Sequence, residues 1–206
     1  MFKYRIPSFI QKLFSSYTWK VNTKDKLLFL TFDDGPHPEI TPWVLSQLSE
    51  YEAKATFFCV ADNVRKYPEI YQQIIHAGHA VGNHTYHHKN GWNTDVAEYL
   101  EDVGLAENYI HSKLFRPPYG RIKRKQARFL LDRYAIVMWS HLSCDYSIDL
   151  NMKKTLKAMK KIGNGSIVVF HDSEKAWHNL EKILPELLDH YHQQGFKMMA
   201  LSKEIC

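Results

Sequence analysis

From Leu27 onward, seven short apolar, β-rich runs alternate with segments of 3.6-residue apolar periodicity, and no other feature restricts the fold as strongly. The runs are Leu27–Phe32, Ala55–Val60, His79–Asn83, Leu114–Arg116, Ala135–Ser140, Ile167–Phe170 and Phe196–Leu201. Between them run helical stripes such as Ile40, Val44, Leu45, Leu48 and Tyr51, or Leu180, Ile183, Leu184, Leu187 and Tyr191. A second stripe, Val64, Ile70, Ile74 and Ile75, reads as one helical segment. Strand followed by helix, repeated, leaves successive strands parallel and covered by helices. Seven strands of this kind suit an open doubly wound sheet or an incomplete barrel.

The polar residues that look chemical decide between those two. Asp33 and Asp34 follow the first run, His84 and His88 the third, Arg116 to Gly120 the fourth, Asp145 the fifth, and His171 ends the sixth. All sit at C-terminal strand ends. A barrel gathers those ends on one rim, whereas an open sheet spreads them along an edge. The expected fold is therefore α/β: a distorted, incomplete (β/α)7 barrel of parallel strands surrounded by helices. Residues 1–26 read as an N-terminal amphipathic extension and residues 27–206 as the single α/β domain.

Asp33 and Asp34 are the most telling pair. Adjacent carboxylates repel, and Asp is disfavoured in strands, so the pair implies a cation or a proton transfer that uses it. Side chains alternate faces in a strand, so both can reach one site only where Gly35 and Pro36 break it. His84 and His88 are four apart; on one helical turn they share a face and can bite one metal. With Asp34 they make a two-His, one-carboxylate set that fits hydrolytic zinc and equally non-haem iron. His87, at i+3, reads as a supporting or exposed residue. In Arg116-Pro117-Pro118-Tyr119-Gly120 two prolines stiffen a loop whose Arg can hold a carboxylate in a fork. His171, closing a buried strand, has the side chain suited to the general acid that the set still lacks.

Composition excludes little and guides some. The 206 residues carry a net charge of +5 and 14% aromatic residues, which fits one soluble domain. The basic stretch Arg121–Arg128 reads as the wet face of a helix, so no nucleic acid partner is expected. Cys59, Cys144 and Cys206 form no disulfide framework, and no signal peptide or membrane span is evident, which points to the cytoplasm. Ile6, Phe9, Ile10, Leu13, Phe14 and Tyr17 recur at helical spacing with Lys3, Arg5 and Lys12 among them. That helix is expected to pack on its own domain, with peripheral membrane contact through residues 1–19 as the lesser alternative. Oligomeric state is not legible.

In order along the chain, these segments strongly resemble the polysaccharide deacetylase family, the NodB-homology domain of carbohydrate esterase family 4. The resemblance rests on Thr31–Pro36 (TFDDGP), His84–His88 (H-[ST]-x-x-H), Arg116–Gly120 (RPPYG), Asp145-Tyr146, and the apolar strand ending at His171. It implies a saccharide substrate, removal of N- or O-acetyl groups, and one divalent ion, usually zinc, with cobalt, nickel and iron as alternatives. By the same resemblance Asp33 is the base, and Asp34, His84 and His88 are the metal ligands. Arg116 orients Asp33, the Tyr119 N–H faces the oxyanion, Asp145 tunes His171, and Val169 walls the acetyl methyl. The family's D-x-x-D-W stretch reads Leu142-Ser-Cys-Asp145-Tyr146 here. Substrate contacts from Leu142 and Tyr146 are therefore expected to differ, and Cys144 is expected to line the cleft. An N-acetylglucosamine-containing glycan is the expected substrate. An O-acetyl esterase and a non-catalytic saccharide-binding module are the alternatives, although the module would have lost one of Asp33, His84, His88 or His171.

Overall fold

Residues 4–206 are described in the computed structural model of the chain. The strands are β1 (Leu27–Asp33), β2 (Ala55–Cys59), β3 (Ala80–Asn83), β4 (Leu114–Phe115), β5 (Ala135–Ile136), β6 (His141–Leu142), β7 (Ser166–His171) and β8 (Lys197–Met198). The helices are α1 (Ser8–Leu13), α2 (Ile40–Ser49), α3 (Ala61–Lys66), α4 (Pro68–His76), α5 (Val96–Ala106), α6 (Arg124–Leu131), α7 (Met152–Met159) and α8 (Glu174–Gln193). The stripe read as one helix from Val64 to Ile75 is two, α3 and α4. Pro68 lacks the N–H that would continue α3 and instead begins α4.

All ladders between these strands are parallel, in the order β5-β4-β3-β2-β1-β7-β6. β8 lies against the start of β1, with Leu27 opposite Lys197, and its Met198 carbonyl accepts from the Lys54 N–H at 2.9 Å. It thus fills the wedge where β1 and β2 diverge.

The fifth run is not one strand. Its first half belongs to one sheet edge and its second half to the other. The Ala135 and Val137 N–H groups donate to Lys113 and Phe115 beside β4, at 2.9 and 2.8 Å. The Ser140 and Ser143 N–H groups donate to Ile167 and Val169 of β7, at 3.1 and 3.0 Å. Between the halves, the Val137 and Met138 carbonyls accept from the Arg116 side chain at 3.1 and 3.0 Å. That capture is the physical reason for the split. One crossing segment ties both edges and curls the sheet into a barrel, and residues 4–21 line its outer side. Ile6 donates to Ser140, Thr18 to Ile136 and Val21 to Gly165, at 3.0, 2.9 and 2.8 Å.

Period-2 alternation then sorts the side chains. In β1, Leu28, Leu30 and Phe32 face the helices and join the core with Val44 and Leu48 of α2 and Leu180, Ile183, Leu184 and Leu187 of α8. Phe29 faces the barrel interior with Phe58, Leu114, Val137 and Ile167. Two and four residues beyond Phe29, on the same face, stand Thr31 and Asp33. The interior is apolar at the bottom and polar at the rim.

Two glycines test this packing. Gly165 has φ +71°, and a Cβ there would meet the Val21 carbonyl oxygen at 2.0 Å. Gly165→Ala is expected to cost about 1–3 kcal/mol in urea unfolding. Gly104, inside α5, has open space around a Cβ, so Gly104→Ala should instead gain up to about 1 kcal/mol.

Candidate active site

The rim residues meet in one cleft of about 370 Å³, whose lining includes Asp33, Asp34, His84, His88, Tyr119, Leu142, Tyr146, Val169 and His171. Asp33 is the last residue of β1 and points inward by register. Asp34 follows with φ +83°, outside the range of a strand, and this turns its carboxylate into the same cleft. The turn is clamped from below. The Asp34 carbonyl accepts from the Asn63 amide at 2.8 Å, and the Gly35 N–H donates to Asp172 at 3.1 Å. A Cβ on Gly35 would lie 2.1 Å from the other Asp172 oxygen, so only glycine fits. Asp172 is buried and its second oxygen accepts from Thr41 at 2.5 Å; burial pushes its carboxyl up to about 8.

Arg116, which could have been a surface residue, is fully buried. Its Nη1 donates to Asp33 Oδ1 and to Thr31 Oγ1, both at 2.7 Å. With the two carbonyls of the crossing segment it has four acceptors, and its guanidinium lies 4.1 Å from the Phe58 ring centre. Burial pushes the guanidinium pKa down, and the Asp33 charge opposes it. The arrangement fixes one oxygen of Asp33 and leaves the other for the cleft.

The His84–His88 pair is not on a helical turn. Residues 84–88 form a loop with φ +65° at Thr85 and +56° at His88. The loop is shaped by side chains that cap its backbone. Asn83 Oδ1 accepts from the Thr85 N–H at 2.8 Å, and Asp102 on α5 accepts from the Tyr86 and His87 N–H groups at 2.9 and 3.0 Å. His87 also reaches Asp102 through Nδ1, at 2.6 Å, and stands off the cleft. The two ligand candidates still converge, with ring centres 5.0 Å apart.

The donor set fits a cation. Donor atoms of Asp34, His84 and His88 lie within 4.8 Å of one another. His84 Nδ1 is 2.7 Å from the Arg116 carbonyl oxygen, which can only accept, so Nδ1 carries the proton. Burial pushes the His84 pKa down to about 4, so the ring is neutral and Nε2 presents a bare lone pair. That lone pair faces the Asp34 carboxylate at 3.7 Å, and His88 Nε2 stands 3.1 Å from the same oxygen. Burial tends to raise the Asp34 pKa, but the His88 hydrogen bond and the charge of neighbouring His171 hold it well below the usual carboxylate range. A positive ion among these atoms relieves the repulsion between lone pairs, and the imidazole-to-carbonyl bond is the usual orientation of a metal-ligating histidine.

Opposite this set stands His171. Its Nδ1 lies 2.7 Å from Asp145 Oδ1, and its backbone N–H donates to Oδ2 at 2.8 Å. Burial alone would lower its pKa, but the charge and hydrogen bond of fully buried Asp145 outweigh it and hold the imidazole at about 9. The Asn179 amide on α8 fixes the Asp145 carbonyl at 2.7 Å. The Tyr146 ring meets the His171 ring edge-on at 5.1 Å. Cys144 is buried and is not part of the cleft wall. Its φ of +58° carries the chain past the cleft toward Asp145.

Asp102 and Asp172 support this site and were not singled out from the sequence. A signal existed for each: Asp102 interrupts the buried stripe of Tyr99, Val103 and Ala106, and Asp172 adjoins a strand-end histidine.

The carboxylates, the arginine and the histidines thus gather at the C-terminal rim of a parallel barrel, where barrel enzymes place their catalytic groups. The polysaccharide deacetylase family model matches residues 20–135, more than half of the chain, and the protein belongs to that family of carbohydrate deacetylases. A peptidoglycan-N-acetylglucosamine deacetylase of Bacillus cereus is 31% identical over 198 residues, 90% of this chain and 91% of that protein. A chitooligosaccharide deacetylase of Azorhizobium caulinodans is 30% identical over 162 residues, 74% of this chain and 77% of that one. Among solved structures, the Bc1960 peptidoglycan N-acetylglucosamine deacetylase superposes with a TM-score of 0.81 at 26% identity, covering 94% of each chain.

Removing the guanidinium should expose the cost of this design. Arg116→Leu leaves Asp33 buried without its counter-charge, so a stability loss of about 3–5 kcal/mol is expected in denaturant unfolding. In Asp33→Asn, Arg116 keeps an amide oxygen to bond, and the loss should be clearly smaller.

Proposed function

We propose that this protein removes the acetyl group from an N-acetylglucosamine-containing glycan by hydrolysis, with Asp33 as general base and His171 as general acid. The observation that carries the reading is the opposed pair in one cleft. A carboxylate held by Arg116 and an imidazolium held by Asp145 flank the Asp34, His84 and His88 donors. A divalent ion held by those three side chains, zinc by family precedent, would polarise the acetyl carbonyl and acidify water.

The chain's own groups supply the rest. Asp33 takes the proton of the attacking water through the oxygen that Arg116 leaves open. The Tyr119 N–H, on the rim loop beside the donors, would donate to the oxyanion, and Val169 with Leu142 would wall the methyl. His171, protonated at neutral pH and bound to Asp145 through Nδ1, turns its other nitrogen toward the cleft and donates to the leaving amine. An amide anion is too basic to depart unprotonated, so an acid with a raised pKa suits nitrogen better than oxygen as the leaving atom. Tyr146, partly exposed at the rim, offers a face for the sugar ring.

Acetate release from N-acetylglucosamine oligomers, peptidoglycan and acetylated xylan tests the substrate class. Release from xylan alone would replace the amide reading with an ester one, and release from none would remove the catalytic reading. The two carboxylates should separate cleanly. Asp34→Ala is expected to lose bound zinc, measured by elemental analysis, together with activity. Asp33→Asn should retain zinc while turnover falls roughly 10²–10⁴-fold. Loss of zinc in Asp33→Asn, or near-normal turnover, would reverse the assignment.

The pH profile should be bell-shaped, with the basic limb set by His171. This group works protonated, so activity is lost as pH rises through its pKa. Asp145→Asn removes the charge that raises that pKa, and the basic limb should move to lower pH. A limb that stays in place would show that Asp145 does not govern the acid.

A further inference from the structure

α1 buries no residue completely, although it is rich in apolar side chains. Ile10 and Phe14 turn toward the body. Phe9, Lys12 and Leu13, at i, i+3 and i+4, share the outward face, where Phe9 is 64% and Leu13 69% exposed. This is no loose tail. Hydrogen bonds from Ile6 and Thr18 to the crossing segment, and from Trp19 Nε1 to the Phe14 carbonyl at 2.9 Å, fasten both flanks. The fold thus holds an apolar face toward water.

The tertiary structure sets a second element beside it. The groove at the end of α1 is lined by Leu13, Phe14 and Tyr17 on one side and by Arg124, Arg128 and Leu131 of α6 on the other. Asp132 is the acid at this edge. Among the described residues no carboxylate pairs with Arg124 or Arg128, whereas nearby Arg133 is committed to Glu107. Lys12 on α1 and Lys125 on α6 add positive charge. Single exposed leucines are ordinary, but apolar side chains grouped on a fixed helix and bordered by unpaired cations are the surface of an interfacial helix.

We propose that the outward face of α1, with the Arg124–Arg128 edge of α6, docks on an anionic phospholipid surface. The cations choose lipid over a second copy of the chain. A copy would bring the same positive edge against itself, whereas an anionic leaflet supplies the complementary charge and an acyl boundary for Phe9 and Leu13. No helix of the described chain is long and apolar enough to cross a membrane, so contact would be peripheral. The groove shares no lining residue with the cleft, so the inference does not depend on the proposed reaction.

Co-sedimentation of the full chain with vesicles tests it. Binding is expected to vesicles of equal parts phosphatidylcholine and phosphatidylglycerol, to weaken as salt rises, and to be absent with phosphatidylcholine alone. Arg124→Glu with Arg128→Glu should weaken binding roughly five-fold or more per cation. Leu13→Asp should reduce it as strongly, with circular dichroism confirming the fold. If Leu13→Asp fails to fold, the arginine variants and the salt dependence of the unaltered chain still decide. Absence of binding, equal binding to both vesicle types, or binding untouched by the arginine changes would overturn the proposal. A concentration-dependent dimer that Leu13→Asp dissociates, without vesicle binding, would assign the face to a second copy.

Discussion

The buried guanidinium of Arg116 is the interaction on which the rest of the structure depends. A charge with no solvent exposure is tolerable only when paired and fully hydrogen-bonded, and Arg116 finds its partners on two elements besides its own. Thr31 and Asp33 belong to β1, Arg116 itself follows β4, and Val137 with Met138 belong to the segment that crosses from β5 to β6. Taking two backbone carbonyls from that segment stops it from running as one strand. The guanidinium that orients the candidate base therefore also helps to close the barrel. Stability and site geometry are coupled at a single side chain.

Around that centre, environment gives chemically similar groups different tasks. Asp33 and Asp34 are neighbours in sequence, yet one is held by a guanidinium inside the barrel and the other faces two imidazoles. His84 and His171 are both histidines at strand ends, but burial outweighs the nearby Asp33 and Asp34 charges and neutralises the first, while Asp145 keeps the second charged. The result is a donor set that fits a cation on one side and a protonated imidazole on the other. Asp172, with its carboxyl pushed upward by burial, and Asp102, under the histidine loop, support these groups through the backbone and do not themselves line the cleft.

Family membership is consistent with this economy of parts. The departures from the family pattern, Leu142 and Tyr146, both line the cleft wall, and Asp145 between them retains its bond to His171. They therefore alter the cleft wall and leave the support of His171 in place.

The sequence by itself determined the alternation of strands and helices and the identity of the rim residues, because periodicity and strand-end chemistry are local properties of the chain. It identified His84 and His88 as a pair through their spacing, although the helical turn invoked for them does not exist. Their convergence is produced by a loop with two left-handed residues, shaped by Asn83 and by Asp102 some fifteen residues away. Only the tertiary structure decided that the fifth run would divide between two sheet edges, that Arg116 would be buried, and that α1 would come to lie beside α6. Each of those outcomes rests on hydrogen bonds or contacts between residues far apart in the chain, and a pattern read within one segment carries no record of a partner supplied by another.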